Sequence, residues 1–204
     1  MSYHQRSNDN YGKNMKILNV AVNDANYKIT KTEIINGKHK IVWVCPFYRK
    51  WKSMIDRCYS PVLLNKYPTY IDCYVCDEWL SFMNFKRWME DQNWVGMHLD
   101  KDLLSGDLKI YSPETCCFID STLNNFITNK RANTDTMIGV SFADGAFTSF
   151  CGDPFSGVQS YLGRYKTEIE AHNAWKKRKH ELALKLADLQ SDDRVANKLR
   201  TMYI

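Results

Sequence analysis

The stretch HLDKDLLSGDLKIYSPETCCFIDSTLNNFI, residues 98–127, decides the fold class. Short β-prone segments separated by turn residues, followed by an apolar segment behind a capping residue (Asp120 or Ser121), predict a ββα unit. The predicted first strand, turn, second strand and helix lie at residues 98–104, 105–107, 108–111 and 121–127, respectively. This order of strands and helix indicates an α+β fold.

The first predicted strand carries side chains suited to metal-dependent chemistry. Alternate residues of a strand face the same side, so His98, Asp100 and Asp102 are predicted to project together. An imidazole and two carboxylates on one face form a candidate site for a divalent cation or an activated water. The alternative is a polar strand face in contact with solvent only.

The chain before this unit changes its period near residue 45. Residues 16–44 have a β-like pattern, with Asn36-Gly37 as a hairpin signal. From Pro46 onward, apolar residues recur at helical spacing, and a second helix is predicted near residues 81–91. The polar side of the first helix carries four basic residues that are predicted to face phosphate or, alternatively, only solvent: Arg49, Lys50, Lys52 and Arg57.

The C-terminal part reads as a small sheet followed by a helix. Three strands are predicted at residues 138–142, 146–150 and 159–163. Thr167 and Glu170 form a capping-box pattern that begins a helix with an apolar stripe. The basic run Lys176–Lys179 is predicted to be a solvated face of that helix, with phosphate contact as the alternative.

Composition limits the class of protein. The 204 residues are 44% hydrophobic and 25% charged, which excludes a wholly disordered chain. The apolar runs are far shorter than the roughly 20 residues of a membrane-spanning helix, so a cytoplasmic protein without membrane contact is expected. Residues 1–70 carry 12 basic and 4 acidic residues, whereas residues 71–130 carry 5 and 10. A basic flank beside an acidic middle suits a protein that binds a polyanion, but plain solvated surface is the favoured explanation of the charge pattern alone.

The seven cysteines are an odd number, and the polar first residues lead us to expect no export signal. Reduced thiols packed in the core are therefore expected. The pair Cys73 and Cys76 has zinc-ligand spacing, and Cys58, Cys116 or Cys117 would have to complete such a site. A structural zinc is the less favoured interpretation.

Several segments together resemble a known type of protein. WKSMIDRCY (51–59), VCDEW (75–79), LDKDL (99–103) and YSPETC (111–116) resemble the HNH-type, ββα-metal homing-endonuclease-like proteins of bacteriophages. IGVS (138–141), YLG (161–163) and KTEIEAHNAW (166–175) resemble the AP2 DNA-binding domain that often accompanies such nucleases. The resemblance implies a metal-dependent endonuclease that nicks duplex DNA in the cytoplasm of an infected bacterium. The alternatives are an inactive DNA-binding protein on the same scaffold and a protein-interaction module.

The resemblance also implies roles for individual residues. The catalytic candidates are His98, Asp100 and Lys101, and the candidate ligands of Mg²⁺ or Mn²⁺ are Asp100, Asp102, Asn124 and Asn125. HNH motifs usually place His beside Asp, and Lys101 stands there instead. A lysine of ordinary pKa is protonated at neutral pH and cannot act as a base, so Lys101 is favoured as a phosphate contact or plain surface charge.

The implied organisation has four parts. They are a flexible arm (residues 1–15), an HNH-like nuclease region (16–128), a linker (129–136) and an AP2-like module with a C-terminal helix (137–204). Double-stranded DNA is the expected partner. Besides the four basic residues of the first helix, the predicted DNA contacts are Lys130, Arg131, Arg164 and Lys166.

Overall fold

The computed structural model describes residues 15–128 and 135–204 and has a mixed α+β fold. The strands in these ranges are β1 (Met15–Ile17), β2 (Ala21–Asn23), β3 (Thr30–Ile35), β4 (Lys38–Val44), β5 (Tyr74–Val75), β6 (His98–Asp100), β7 (Ile110–Tyr111), β8 (Cys117–Ile119), β9 (Val140–Ala143), β10 (Ala146–Gly152) and β11 (Gln159–Tyr165). The helices there are α1 (Pro46–Tyr59), α2 (Pro61–Lys66), α3 (Phe82–Glu90), α4 (Asp102–Ser105), α5 (Ser121–Ile127), α6 (Glu168–Ala187) and α7 (Asp193–Thr201).

The chain forms two compact units. The first unit contains the residues up to Trp94 together with Asp107–Cys116, and the second unit contains Val95–Gly106 and Cys117–Ile204. This division differs from the predicted modules, because β6, α4, β8 and α5 belong with the C-terminal residues. Most of the predicted arm and linker lie outside the described residues. The predicted functional division of the chain stays a prediction.

The core of the first unit forms around α1 and α3. The apolar face predicted for α1 is confirmed, since its buried residues recur at helical spacing: Trp51, Met54, Ile55 and Cys58. Ser81 caps α3 by accepting a hydrogen bond from the backbone of Asn84, and its own hydroxyl donates to Asp24 at 2.6 Å. The indole nitrogen of Trp51 donates to the carbonyl of Trp79 at 2.7 Å, which ties α1 to the turn that precedes α3.

The hairpin predicted at Asn36-Gly37 is confirmed as the β3–β4 pair. Both turn residues have positive φ, 54° for Asn36 and 72° for Gly37, as a tight two-residue hairpin turn requires. The strands pair antiparallel, from Thr30 with Val44 to Ile35 with Lys38.

The strand predicted at residues 98–104 is wrong beyond Asp100. The Asp100 carboxylate accepts a hydrogen bond from the backbone N–H of Leu103 at 2.8 Å, and Lys101 already has helical backbone angles. A short polar side chain that bonds to the backbone three residues ahead ends the strand and starts the helical turn α4. The chain therefore bends where the prediction continued it straight.

The pairing predicted for the second strand is also wrong. Strand β7 pairs in parallel with β5 in the first unit, from Tyr74 with Ile110 to Val75 with Tyr111. The antiparallel partner of β6 is β8, with His98 opposite Ile119. The turn at residues 105–107 is thus not a hairpin turn. The order strand, strand, helix persists, but it is built from β6, β8 and α5.

The second unit contains an antiparallel sheet of three strands in the order β11-β10-β9. All three predicted strands are present, and α6 packs on one face of this sheet. The capping box of Thr167 and Glu170 is confirmed, with both of its hydrogen bonds formed. A second helix, α7, follows; it was not predicted. Its buried residues share one core with the ββα elements, and that core includes Leu103, Ile119, Leu123, Phe126, Trp175, Leu182, Leu186 and Leu199.

Candidate functional site

The ββα arrangement in the second unit places one candidate, His98, on the surface. His98 is the first residue of β6, and its side chain is exposed. Its Nε2 lies 3.2 Å from the hydroxyl of Ser121, the first residue of α5. Asp120 caps that helix, because its carboxylate accepts a hydrogen bond from the N–H of Leu123 at 2.7 Å. The imidazole is therefore accessible and oriented by one hydrogen bond.

Asp100 lies at the end of β6 and is half-buried. Burial raises the pKa of its carboxyl group, while the hydrogen bond from the backbone of Leu103 opposes that shift. One carboxylate oxygen, Oδ1, is thus occupied by a structural hydrogen bond. Alternation along β6 keeps His98 and Asp100 on the same side, as predicted.

Asp102 does not share that strand face, contrary to the prediction. It is the first residue of α4, and its exposed carboxylate pairs with the ammonium group of Lys101. Lys101 is only 6% exposed and has this carboxylate as a close partner. A lysine held in this way makes neither the exposed phosphate contact nor the plain surface charge that the sequence suggested.

The predicted amide ligands lie on α5. Asn124 is half-buried, whereas Asn125 is exposed. Asn125 lines a cavity of about 360 Å³ within the second unit, together with Thr122, Phe126, Cys151, Gly152, Asp153, Pro154, Trp175 and Lys179.

The described residues contain no group of three or more His, Cys, Asp or Glu side chains that could together hold a metal ion. Mg²⁺ in proteins often takes only one or two carboxylates and completes its shell with water and substrate phosphates. Asp100 supplies one carboxylate for that kind of binding, and its oxygens also accept backbone hydrogen bonds from Leu103 and Asp102. The geometry does not support a cation held by His98, Asp100 and Asp102 jointly.

None of the seven cysteines, all of which lie in the described ranges, forms a disulfide, and six of them are buried, whereas Cys76 is half-buried. Several effects act in opposite directions on the pKa of the Cys76 thiol. The largest of them is burial, which raises this pKa. A thiol that resists ionisation is a poorer zinc ligand, because zinc binds the thiolate.

The sheet of the second unit presents a polar and aromatic face away from α6. Ser149 and Cys151 of β10 are buried on the helix side, so the alternating residues between and beside them point outward. The register places these outward residues in cross-strand contact: Ser141 with Thr148, Thr148 with Arg164, Phe150 with Tyr161, and Gly152 with Gln159. Phe142 lies two residues after buried Val140 in β9, so these two side chains share the face of the sheet that is turned toward α6.

The predicted DNA contacts on α1 are only partly available. Arg49 is exposed, whereas Lys52 forms an ion pair with Asp56 one turn later. Arg57 is half-buried, bonds to the hydroxyl of Tyr111 and lies over the ring of Tyr70 at 5.8 Å. Burial, reinforced by the charge of Arg57, lowers the pKa of Lys50.

The remaining predicted contacts belong to the C-terminal half of the chain. Arg164 and Lys166 are exposed at the end of β11, and Lys130 and Arg131 lie outside the described residues.

Lys179 is a residue that the sequence interpretation missed. It was predicted to be solvated, but it is only 8% exposed. Its ammonium group donates to the carbonyl of Phe126 at 2.5 Å and lies 3.5 Å from the centre of that ring. The spacing of the sequence could have indicated this burial. Lys179 lies four residues after Trp175 and three before Leu182, and therefore on the apolar stripe of α6.

No described helix has the length and apolar character needed to cross a bilayer. Comparison of the chain with protein-family models, with curated proteins and with solved structures gave no match.

Proposed function

We propose that the protein is a DNA-binding, metal-dependent endonuclease that nicks duplex DNA. One observation carries the proposal: the β6–β8–α5 unit and the three-stranded sheet with α6 share a single hydrophobic core. A nuclease needs its cleaving group at a fixed distance from the surface that grips DNA, and a common core provides that rigidity. The sequence resemblance to phage HNH and AP2 proteins points to the same pair of activities.

The chemistry assigned to this chain centres on His98. Its exposed imidazole takes a proton from water, the water oxygen bonds to phosphorus, and the bond from phosphorus to the leaving oxygen breaks, after which the leaving oxygen takes up a proton from solvent. Ser121 orients the ring through its hydrogen bond. Asp100 and the amides of Asn124 and Asn125 are the candidate ligands of a divalent cation, which would stabilise charge on the scissile phosphate. One such centre cuts one strand, so a double-strand break requires two copies.

Incubation with supercoiled plasmid and Mg²⁺ or Mn²⁺ tests this proposal. Wild-type protein is expected to produce relaxed circles, and His98→Ala is expected to lower the rate at least about 100-fold because it removes the general base. Asp100→Asn retains an acceptor for the Leu103 N–H while removing the charge, so it separates charge from folding.

His39→Ala and Asp107→Asn are matched controls, since both residues are exposed and neither belongs to β6, β8 or α5. They are expected to cleave like wild type. Unchanged cleavage in both His98→Ala and Asp100→Asn would contradict the assignment of these residues.

A second candidate function is DNA binding without cleavage. It is favoured by Lys101, which stands where HNH motifs carry histidine and is buried against Asp102. This function predicts duplex binding that weakens steeply with salt, because phosphate contacts release counterions. Under it, plasmid stays supercoiled with every divalent metal. Retention of labelled duplex across a salt series, measured beside the plasmid assay, distinguishes the two functions.

A further inference from the structure

The outward face of the β9–β10–β11 sheet carries two aromatic rings side by side. Phe150 on the middle strand is the direct cross-strand partner of Tyr161, and the ring centroids lie 5.5 Å apart. Tyr161 is 59% exposed. Because Ser149 and Cys151 are buried on the helix side, Phe150 must point to the opposite face.

Polar groups flank this ring pair along the same two strands. Gln159, opposite Gly152, lies on one side of the rings, and Arg164, opposite Thr148, lies on the other. The guanidinium of Arg164 donates from Nη2 to the carbonyl of Asp144 at 2.6 Å, which holds the group at the end of the face. Lys166 is exposed immediately beyond β11. Along this face the amide of Gln159 comes first, the rings of Phe150 and Tyr161 follow, and the cations of Arg164 and Lys166 lie at the other end.

This chemistry matches unpaired bases better than an intact duplex. Bases in a duplex are already stacked, and a protein reads them through donors and acceptors that reach their edges. Phe150 offers no such group. A ring on an open sheet can instead stack on the π-face of any unpaired base. The cations at one end are complementary to the phosphates of the same strand.

We propose that this face binds unpaired nucleotides, with bases stacked on Phe150 and Tyr161 and backbone phosphates at Arg164 and Lys166. The inference rests on the proposed action on DNA and adds a preference within it. A strand opened by a nick, a bubble or a free end is preferred over intact duplex. The same face binds single strands without strong sequence preference, because every base has a π-face.

Fluorescence anisotropy with the full chain in EDTA tests the proposal without cleavage. The probes are one labelled DNA sequence as single strand, as duplex and as duplex with a central bubble. Single strand and bubble are expected to bind about tenfold tighter than duplex, from the stacking of at least one base. Tyr161→Ala is expected to remove that advantage, whereas Tyr161→Phe retains it because the ring is unchanged.

Phe155→Ala is the matched control, since Phe155 is 50% exposed and lies in the turn between β10 and β11 rather than on the strands. It is expected to bind all three probes like wild type. A direct readout uses 2-aminopurine in the bubble, whose fluorescence falls when it stacks on a ring. Wild-type protein is expected to quench it, so the test holds even if a variant misfolds.

Equal affinity for the three probes, or no quenching of 2-aminopurine by wild type, would overturn the preference while the proposed DNA binding stood. Loss of affinity in Tyr161→Ala that is equal for duplex and bubble would overturn it in the same way. Failure to bind any probe, including duplex, would remove the proposed function together with this inference.

Discussion

Lys179 places a cation where the solvent does not reach, at the junction of α5 and α6. Its ammonium group is paired with the carbonyl of Phe126, close to the C-terminal end of α5, where backbone carbonyls lack partners within the helix. The rings of Phe126 and Tyr203 lie 3.5 and 5.6 Å from it. This side chain therefore joins the ββα elements to the helix that supports the sheet.

The stability of the protein is predicted to depend on the protonation of Lys179. Burial lowers its pKa from 10.5 to about 8, with the nearby Cys151 thiol acting in the opposite direction. Between these two values the unfolded chain holds a proton that the folded chain has lost. The free energy of unfolding therefore rises with pH across this window, by about 2–3 kcal/mol from this group. Below pH 8 both states are protonated and the group adds no slope.

Urea unfolding of wild type, Lys179→Met and Lys177→Met between pH 7 and about pH 10 measures this contribution. Buried thiols such as Cys151, whose pKa is raised, make the protein less stable as pH rises. Both proteins contain these thiols, so subtracting the pH dependence of Lys179→Met from that of wild type cancels their contribution. Lys177 is exposed on α6, two residues before Lys179, and serves as the control. A pH slope that is the same in all three proteins would show that Lys179 does not titrate in this window.

At the scale of elements, the entry into β9 depends on a glycine packed against α6. Gly139 has φ of 80°, and a β-carbon built there would lie 2.1 Å from the indole of Trp175. Trp175 is buried and cannot move aside without disturbing the core. Gly139→Ala is predicted to destabilise the protein by about 2–4 kcal/mol, from left-handed backbone strain and overpacking together.

Gly145→Ala separates these two causes. Gly145 lies in the β9–β10 turn with a similar φ of 71°, but a β-carbon there meets nothing within 4 Å. It is expected to cost only the backbone strain of about 1–2 kcal/mol. Thermal unfolding of both variants gives the comparison, and an equal loss in both would rule out the contact with Trp175 as a cause.

Elements with strong local signals were predictable from the sequence. The α1 face, the Asn36-Gly37 hairpin, the three C-terminal strands and the capping box at Thr167 all depend on residues within a few positions of each other. The strand beyond Asp100 failed because a side-chain hydrogen bond to Leu103 outweighed β-propensity. The parallel pairing of β5 with β7 joins segments more than thirty residues apart, and no local pattern specifies it.

The candidate site was predictable to a smaller extent. Alternation along a strand gave the shared side of His98 and Asp100, but the position of Asp102 depended on where that strand ended. The burial of Lys101 against Asp102 is set by packing that the sequence does not show. The burial of Lys179 could have been predicted by treating it as a member of the apolar stripe of α6, although its side chain is charged.

At the scale of the whole molecule, the chain passes between its two units more than once. It enters the second unit at Val95, returns to the first for Asp107–Cys116, and re-enters the second at Cys117. The β6 and β8 strands consequently pair across a segment that belongs to the first unit. The ββα elements are thus part of the fold of the C-terminal residues, even though the sequence groups them with the preceding region.

This arrangement predicts which C-terminal fragment folds. A fragment of residues 137–204 keeps the sheet, α6 and α7 but loses the buried side chains that complete their core: Leu103, Cys117, Ile119, Leu123 and Phe126. Lys179 also loses the carbonyl that accepts its hydrogen bond. A buried leucine or phenylalanine contributes about 1.5–3 kcal/mol, so the loss of several is comparable to the whole stability of a small domain, about 5–15 kcal/mol. Residues 95–204 retain the whole core and are expected to unfold cooperatively, whereas residues 137–204 are expected to show no cooperative transition. Circular dichroism of the two fragments during heating measures this, and a sharp transition of the shorter one at the same temperature would show that the sheet and α6 form an independent domain.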